Sequence, residues 1–283
     1  MILDGKVVAA SIKEQLKEEI DAAVANGGRR PCLVIISVGD DQASQLYVRN
    51  KMKAGAEVGI DVRLDAYFSE TSTQELLNAI QHYNSQPWAD GIMVQLPLPA
   101  HLNERAIIDA IDPAKDVDGL TTTNIGRLRS GQDCLKPCTA AGIIDLCKYY
   151  NIELDGKDVT IIGRSNIVGK PLADLMMAEG ATVTQCHSHT KQLRNHTGYA
   201  DIVVSAIGQP KFVTDFHVHG CQIVIDVGIN RDESGNLCGD VDFEGVKDKV
   251  ERITPVPGGV GPMTVAELMK NVVQAWRRET NYG

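Results

Sequence analysis

The 283-residue sequence lacks any C-x-x-C pair, and its seven cysteines (Cys32, Cys134, Cys138, Cys147, Cys186, Cys221 and Cys238) are scattered and odd in number. That pattern excludes a disulfide framework and a zinc ribbon, and it reads as the reduced thiols of a cytosolic protein. No run approaches the roughly 18 uninterrupted apolar residues that a membrane-spanning helix needs. Behind the start Met1-Ile2-Leu3-Asp4-Gly5-Lys6 there is no long apolar region, so no secretory signal is expected. Cationic excess is missing too. The formal net charge is -9, which excludes nonspecific nucleic-acid or anionic-membrane binding as the main activity. A local basic pocket for an anionic ligand remains compatible with that balance. Internal repeats, low-complexity tracts and long charge runs are also absent. The expectation is a soluble, cytoplasmic protein with neither nucleic acid nor membrane as partner.

What is present is an ordinary globular balance, 43% apolar and 23% charged residues, in a chain long enough for two domains. Short apolar runs alternate with amphipathic helical patterns, the signature of parallel α/β architecture. The pattern predicts helices over 10–26, 41–58 and 73–85, with strands at 32–38, 62–67 and 91–96. The last of these stops at Pro97-Leu98-Pro99, whose prolines cannot donate ladder hydrogen bonds. Residues 112–137, rich in Asp, Gly, Thr and Pro, read as a functional loop and crossing linker. A helix over 140–149 leads to strands at 159–162, 181–184, 202–206 and 223–227, and a closing helix spans 265–279.

The strongest local motif runs from Val159 through Gly163-Arg164-Ser165 to Gly169-Lys170-Pro171: a buried strand, a glycine turn and a helix start. Helix starts offer free N–H groups and a positive dipole end to a pyrophosphate. The glycine fingerprint of dinucleotide sites is incomplete, with Ser165 at its second position and Val168 at its third. A plain strand-to-helix turn remains an alternative reading. The next strand ends in Cys186-His187-Ser188-His189, without the acid that usually holds an NAD ribose. Arg164 and Ser188, with His189 nearby in sequence, favour the 2′-phosphate of NADP, and no metal-ligand spacing is recognised. Gly208 and Gly228-Ile229 follow later strands and should line the same crevice, although simple turn chemistry also explains them.

In the first half, Ser44, Tyr47 and Lys51 share one helix face. Taken alone, that face is either solvated or a proton-transfer pair directed at a pocket. Gln95 interrupts an apolar strand, as a satisfied core amide or as a site wall. Asp116 and Asp118 precede Gly119, where acids cap turns or grip the paired N–H groups of an aminopyrimidine ring. The segment from Thr254 to Thr264, with Pro255, Pro257, Gly258, Gly259, Gly261 and Pro262, is stiff and sharply turned, suited to hugging a ligand.

These motifs, taken in order, resemble the bifunctional methylenetetrahydrofolate dehydrogenase/methenyltetrahydrofolate cyclohydrolase family over nearly the whole chain. They comprise Tyr47-Val48-x-x-Lys51-x-Lys53, Val94-Gln95-Leu96-Pro97-Leu98-Pro99, Lys115-Asp116-Val117-Asp118-Gly119, Gly163-Arg164-Ser165-x-x-Val168-Gly169-x-Pro171 and Pro255 to Thr264. The resemblance implies an N-terminal α/β catalytic domain and a C-terminal Rossmann-like NADP-binding domain, with a cleft between them. The expected boundaries are 1–138 plus about 263–283 for the folate-binding domain and 139–262 for the cofactor domain. Lys51 is implied as the catalytic lysine, Tyr47 as its aromatic neighbour against the folate, and Gln95 as its tuner. Asp118 is implied to grip the pterin ring, with Pro257, Gly258 and Gly259 also on the substrate. Gly163, Arg164, Ser165, Ser188 and Ile229 are implied to hold NADP. A tetrahydrofolate derivative as substrate and a homodimer through the cofactor domain complete the expectation. One departure is visible: Ala140 stands where the family's Pro-Cys-Thr-Pro has its second proline. Three other readings remain in view: a dehydrogenase of a small polyol or keto acid, a family member without hydrolase activity, and an NADP sensor.

Overall fold

A computed structural model describes residues 1–280, apart from the side chains of residues 42, 43, 279 and 280. Residues 281–283, the end of the expected domain boundary, lie outside it. The chain runs α1 (Gly5–Ala25), β1 (Cys32–Val38), α2 (Gln42–Val58), β2 (Asp61–Tyr67), α3 (Thr73–Asn84) and β3 (Gly91–Val94). It continues through α4 (Glu104–Asp109), α5 (Thr122–Arg129), α6 (Cys138–Tyr149), β4 (Asp158–Ile162), α7 (Gly169–Ala178) and β5 (Thr182–Cys186). Then follow α8 (Leu193–Thr197), β6 (Ile202–Ser205), β7 (Ile223–Asp226), β8 (Asn230–Arg231) and β9 (Leu237–Cys238). The described chain closes with α9 (Phe243–Val246), β10 (Arg252–Ile253) and α10 (Val260–Thr280). No helix among the described residues is long and apolar enough to cross a membrane.

Two compact units emerge, the first made of Ala10–Cys138 and the chain from Val265 on, the second of Met1–Ala9 and Thr139–Thr264. The first nine residues pack with the second unit. The physical reason is backbone pairing: Leu3 N–H donates to Ile253 O at 2.8 Å, and Ile2 bridges Ile253 in parallel.

The first unit holds a parallel sheet in the order β2-β1-β3. Alternate residues of β1 enter different cores, as a strand covered on both faces requires. Leu33 and Ile35 pack with Leu16, Val48, Ala54, Met269 and Trp276, whereas Val34, Ile36 and Val38 pack with Leu76, Ile80 and Ile107. Local signals set the helix ends. Asp41 accepts the Ser44 N–H at the start of α2, Gly59 closes that helix at φ +93, and Ser72 with Glu75 forms a capping box on α3.

The second unit holds a parallel sheet in the order β10-β7-β6-β4-β5. Numbered within the unit this is the doubly wound order 2-1-3-4-5, with its reversal between β4 and β6, where ligands of such sheets bind. Val203, Val224, Ile253, Val213 and Val241 fill the core of this unit.

The segment expected as loop and linker, 112–137, contains α5, and α4 stands just before it. Both are short, and α5 carries helix-poor Thr, Asn and Gly. It forms because Asp116 accepts the N–H groups of Leu120 and Thr121 and the Asn124 amide, while Thr121 caps Asn124 N–H.

Candidate active site and cofactor site

In the first unit the helix α2 and the end of β3 place Lys51 and Gln95 together. Lys51 Nζ donates to Gln95 Oε1 at 3.0 Å. The amide is oriented by its other end: Gln95 Nε2 donates to Leu96 O at 2.6 Å, which leaves Oε1 for the lysine. Gln95 is buried, and its backbone N–H continues the ladder to Ile36 O at 2.8 Å. Tyr47, one turn before Lys51, is 39% exposed, so an aromatic surface lies open beside the lysine. Ser44 is buried and belongs to the helix start, while Lys53 is exposed. Leu96-Pro97 is a cis peptide.

The two acids of the Asp116-Val117-Asp118 segment divide their work. Asp116 is consumed by the start of α5, as above. Asp118 has no such turn duty. Burial raises its carboxyl above the ordinary carboxylate range, and the Lys51 ammonium opposes that shift. The Cys138 thiol donates to Val117 O at 3.3 Å, and desolvation, then the Asp118 charge, pushes it well above the ordinary thiol range. Gly119 has φ +69, and a Cβ there would lie 2.5 Å from Lys136 C, so only glycine lets the chain turn after Asp118. Asn271 of α10 ties the loop down, its Nδ2 donating to Val117 O at 2.7 Å and to Lys136 O at 2.9 Å. Asn271 was not legible from its neighbours, because a lone amide on an amphipathic helix carries no site signature.

In the second unit, Gly163 ends β4 at φ +125, and a Cβ there would lie 2.3 Å from Ala206 O. The close-packing glycine that the fingerprint spacing puts at Val168 is instead Gly169, where a Cβ would lie 2.4 Å from Gly163 O. Ser165 serves the helix start: its Oγ accepts the N–H groups of Val168 and Gly169 at 3.2 and 3.3 Å. Arg164 and Ser188 are exposed at the carboxyl ends of β4 and β5. His187 lies below the ordinary histidine range through desolvation and then through the Arg164 guanidinium, which places that cation close to the end of β5. Ile229, 48% exposed, follows β7.

Pro257, Gly258 and Gly259 also fall in the second unit. Val256-Pro257 is a cis peptide, and Gly258 has φ +114. This loop rests on the start of α1: Gly5 N–H donates to Gly258 O at 2.9 Å, and a Cβ on Gly5 would lie 1.9 Å from Gly259 O. Gly5 is thus a supporting residue that sequence reading missed, its one signal being a glycine just after a helix-capping aspartate. Ala140 lies fully buried in α6, so the departure from the family's proline leaves a regular helix. Among the described residues, no group of three or more His, Cys, Asp or Glu could hold a metal ion.

The tetrahydrofolate dehydrogenase/cyclohydrolase catalytic domain matches residues 3–118, and the NAD(P)-binding domain of the same family matches residues 137–280. The bifunctional protein FolD of Agathobacter rectalis is 50% identical over 277 residues, 98% of this chain and 99% of that protein. The crystal structure of the bifunctional enzyme FolD, methylenetetrahydrofolate dehydrogenase/cyclohydrolase, from Campylobacter jejuni has a TM-score of 0.96 at 45% identity, covering 98% of this chain and 99% of that one. The methylenetetrahydrofolate dehydrogenase-cyclohydrolase (FolD) of Trypanosoma brucei, complexed with NADP cofactor and inhibitor, has a TM-score of 0.92 at 38% identity, covering 98% and 97%. Family models over both halves and a relative of 50% identity along the full length leave one conclusion: the chain belongs to the tetrahydrofolate dehydrogenase/cyclohydrolase family.

Proposed function

We propose that this protein oxidises 5,10-methylenetetrahydrofolate to 5,10-methenyltetrahydrofolate with NADP, and hydrolyses that product to 10-formyltetrahydrofolate. The observation that carries the reading is the Lys51 Nζ to Gln95 Oε1 contact at 3.0 Å, with Asp118 in the same unit and inside the lysine's field. The first unit is the folate-binding catalytic domain and the second the NADP-binding domain. Asp118 binds the aminopyrimidine edge of the pterin, since its raised carboxyl is best relieved by a donor pair on a ligand. Tyr47 offers its ring to the folate, and Pro257, Gly258 and Gly259 contact the substrate through backbone.

In the cofactor domain, Gly163 and the first turn of α7 suit a pyrophosphate, Arg164 and Ser188 suit the 2′-phosphate, and Ser165 and Ile229 complete the contacts. The residues fit NADP because β5 ends without the acid that would repel that phosphate. Bound NADP supplies a hydride acceptor. The Trypanosoma brucei relative, complexed with NADP, supports this choice.

The hydrolytic step falls to the first unit. The methenyl carbon is positively charged, so a water adds to it and loses a proton. Lys51 accepts that proton and returns one to the departing ring nitrogen as the carbon–nitrogen bond breaks, while the hydroxyl proton of the adduct leaves to solvent as the formyl C=O forms. Gln95 holds the Nζ within reach of that water.

We place the protein in the cytoplasm as a homodimer. Its free cysteines, six of them buried, and its family resemblance support this, and light scattering at twice the 30.7 kDa chain mass is the check. The activity is tested by absorbance of purified protein with methylenetetrahydrofolate and NADP, in separate bands for NADPH and methenyl product. NADPH rising while methenyl stays low is expected. Both rising together would remove the hydrolase, and no NADPH would remove the dehydrogenase.

A further inference from the structure

Two buried acids in the second unit have no role in the scheme above: Asp226, the last residue of β7, and Asp240, between β9 and α9. Asp240 is 0% exposed, yet it collects donors from two separate segments, 205–209 and Asn230. Its Oδ2 accepts the N–H groups of Ile207 at 2.8 Å and Gly208 at 3.3 Å, and the Ser205 hydroxyl at 3.2 Å. Its Oδ1 accepts the Gln209 N–H at 2.9 Å and the Asn230 side-chain amide at 2.9 Å. Asp226 in turn holds the Asp240 segment, accepting the N–H groups of Gly228, Asp240 and Val241 at 3.0, 2.9 and 2.9 Å. The fit is close. A Cβ on Gly228 would lie 2.2 Å from Asp240 Oδ1, and one on Gly239 would lie 1.8 Å from Asp226 Oδ2.

Beyond the ends of β6 and β7 the sheet ladder stops, and the N–H groups of residues 207–209 need other acceptors. One carboxylate satisfies all three and joins them to Asn230. These turns stand at the carboxyl ends of the strands on one side of the order reversal, whereas Arg164 and Ser188 follow β4 and β5 on the other. A dinucleotide lying across the reversal puts its adenine half over β4 and β5 and its nicotinamide half over β6 and β7.

We infer that Asp240 is a positioning residue for the nicotinamide half of the cofactor, acting through the Ile207–Gln209 turn and Asn230. The inference rests on the dehydrogenase reading above. Asp240 itself touches neither cofactor nor folate. Its carboxylate fixes the backbone that does, and Asp226 fixes Asp240.

The split between cofactor halves gives the test. In D240N, NADPH affinity, read by fluorescence titration of the full chain, falls about tenfold or more, the loss that follows when charge-assisted hydrogen bonds to a wall are removed. Affinity for 2′,5′-ADP, which carries the adenine half alone, stays within about twofold. Hydrolysis of supplied methenyltetrahydrofolate without NADP also stays within about twofold, which a general loss of packing would not allow. R164A gives the converse: 2′,5′-ADP and NADPH weaken together. S205A removes one donor from the same carboxylate and shows the same split at about threefold, so it decides the matter if D240N does not fold. Unchanged NADPH affinity in a folded D240N or S205A, or equal loss of NADPH and 2′,5′-ADP, overturns the inference. No NADPH binding by the parent chain instead overturns the dehydrogenase reading beneath it.

Discussion

At the scale of single residues, the proposed hydrolase chemistry turns on Lys51, whose hydrogen-bond acceptor is committed in advance. Because Gln95 Nε2 is spent on Leu96 O, its Oε1 can only accept, and the ammonium is held at 3.0 Å. K51M, similar in length but without a proton to exchange, should lower methenyltetrahydrofolate hydrolysis by about 100-fold or more, the range for loss of a general acid–base. Circular dichroism should show an intact fold, and undiminished hydrolysis would take the lysine out of the reaction. Arg164 argues the cofactor preference in the same way. R164A should raise KM for NADP by roughly tenfold or more and leave KM for NAD nearly unchanged, since only NADP carries the phosphate. Equal losses would remove the 2′-phosphate assignment. Asp226 makes a pH prediction. Burial raises its carboxyl to about 7, with Asp240 adding to the shift and three backbone N–H groups opposing it. A carboxyl raised above its unfolded value of 3.8 stabilises the fold fully below that pH and loses the contribution as pH rises through 7, ~4 kcal/mol at most. Denaturant unfolding at pH 5 and pH 8 should therefore show a fall in the parent that is absent in D226N. Parallel behaviour of the two would place the Asp226 titration elsewhere.

At the scale of elements, the loop carrying Asp118 shows how a site is built from parts that look unrelated in the chain. Asp116 organises α5 on one side, Gly119 allows the close pass over Lys136, and Asn271 of α10 clamps both strands of the loop. N271A removes the amide donor from the carbonyls of Val117 and Lys136, leaving Val117 O only the weak Cys138 thiol. It should cost about 1–3 kcal/mol in denaturant unfolding and raise KM for the folate more than it lowers kcat. A variant as stable as the parent, with unchanged KM, would show that the loop holds itself. The long elements around this loop were legible because burial on one or two faces imposes a period: β1, β3 and β4 read as apolar runs, and α2, α3 and α10 as stripes. The helices α4 and α5 were not legible, since six or eight residues cannot display a period and α5 depends on a carboxylate earlier in the chain. In the candidate site, Gln95 was visible as an amide interrupting an apolar strand, whereas Tyr47, Lys51 and Asp118 were singled out by their places in the family's motifs. Asn271, Gly5 and Asp240 were not, because their contacts come from segments far apart in sequence. The division of labour between Asp116 and Asp118 likewise needed coordinates, as two acids at a turn look alike in a string.

At the scale of the whole molecule, two helices contribute turns to both compact units: α1 passes from one to the other after Ala9 and α10 after Thr264. A helix whose hydrogen bonds run through such a point cannot melt on one side without losing its own ladder on the other, so the units should unfold together rather than in turn. Trp276 supplies the perturbation for a test. It lies in α10 at 1% exposure, in one core with Leu16, Ile20, Val48, Ala54 and Val58, and belongs entirely to the first unit. W276A should remove about 3–5 kcal/mol from that core. The sequence holds two tryptophans, and the remaining one, Trp88, also lies in the first unit, so its fluorescence reports that unit alone. NADPH binding reports the second unit. With denaturant, the midpoints of both signals should move down together in W276A, because the shared helices carry the damage across. If the Trp88 transition moves and NADPH binding keeps the parent's midpoint, each unit folds on its own, and the continuity of α1 and α10 carries chain but no cooperativity.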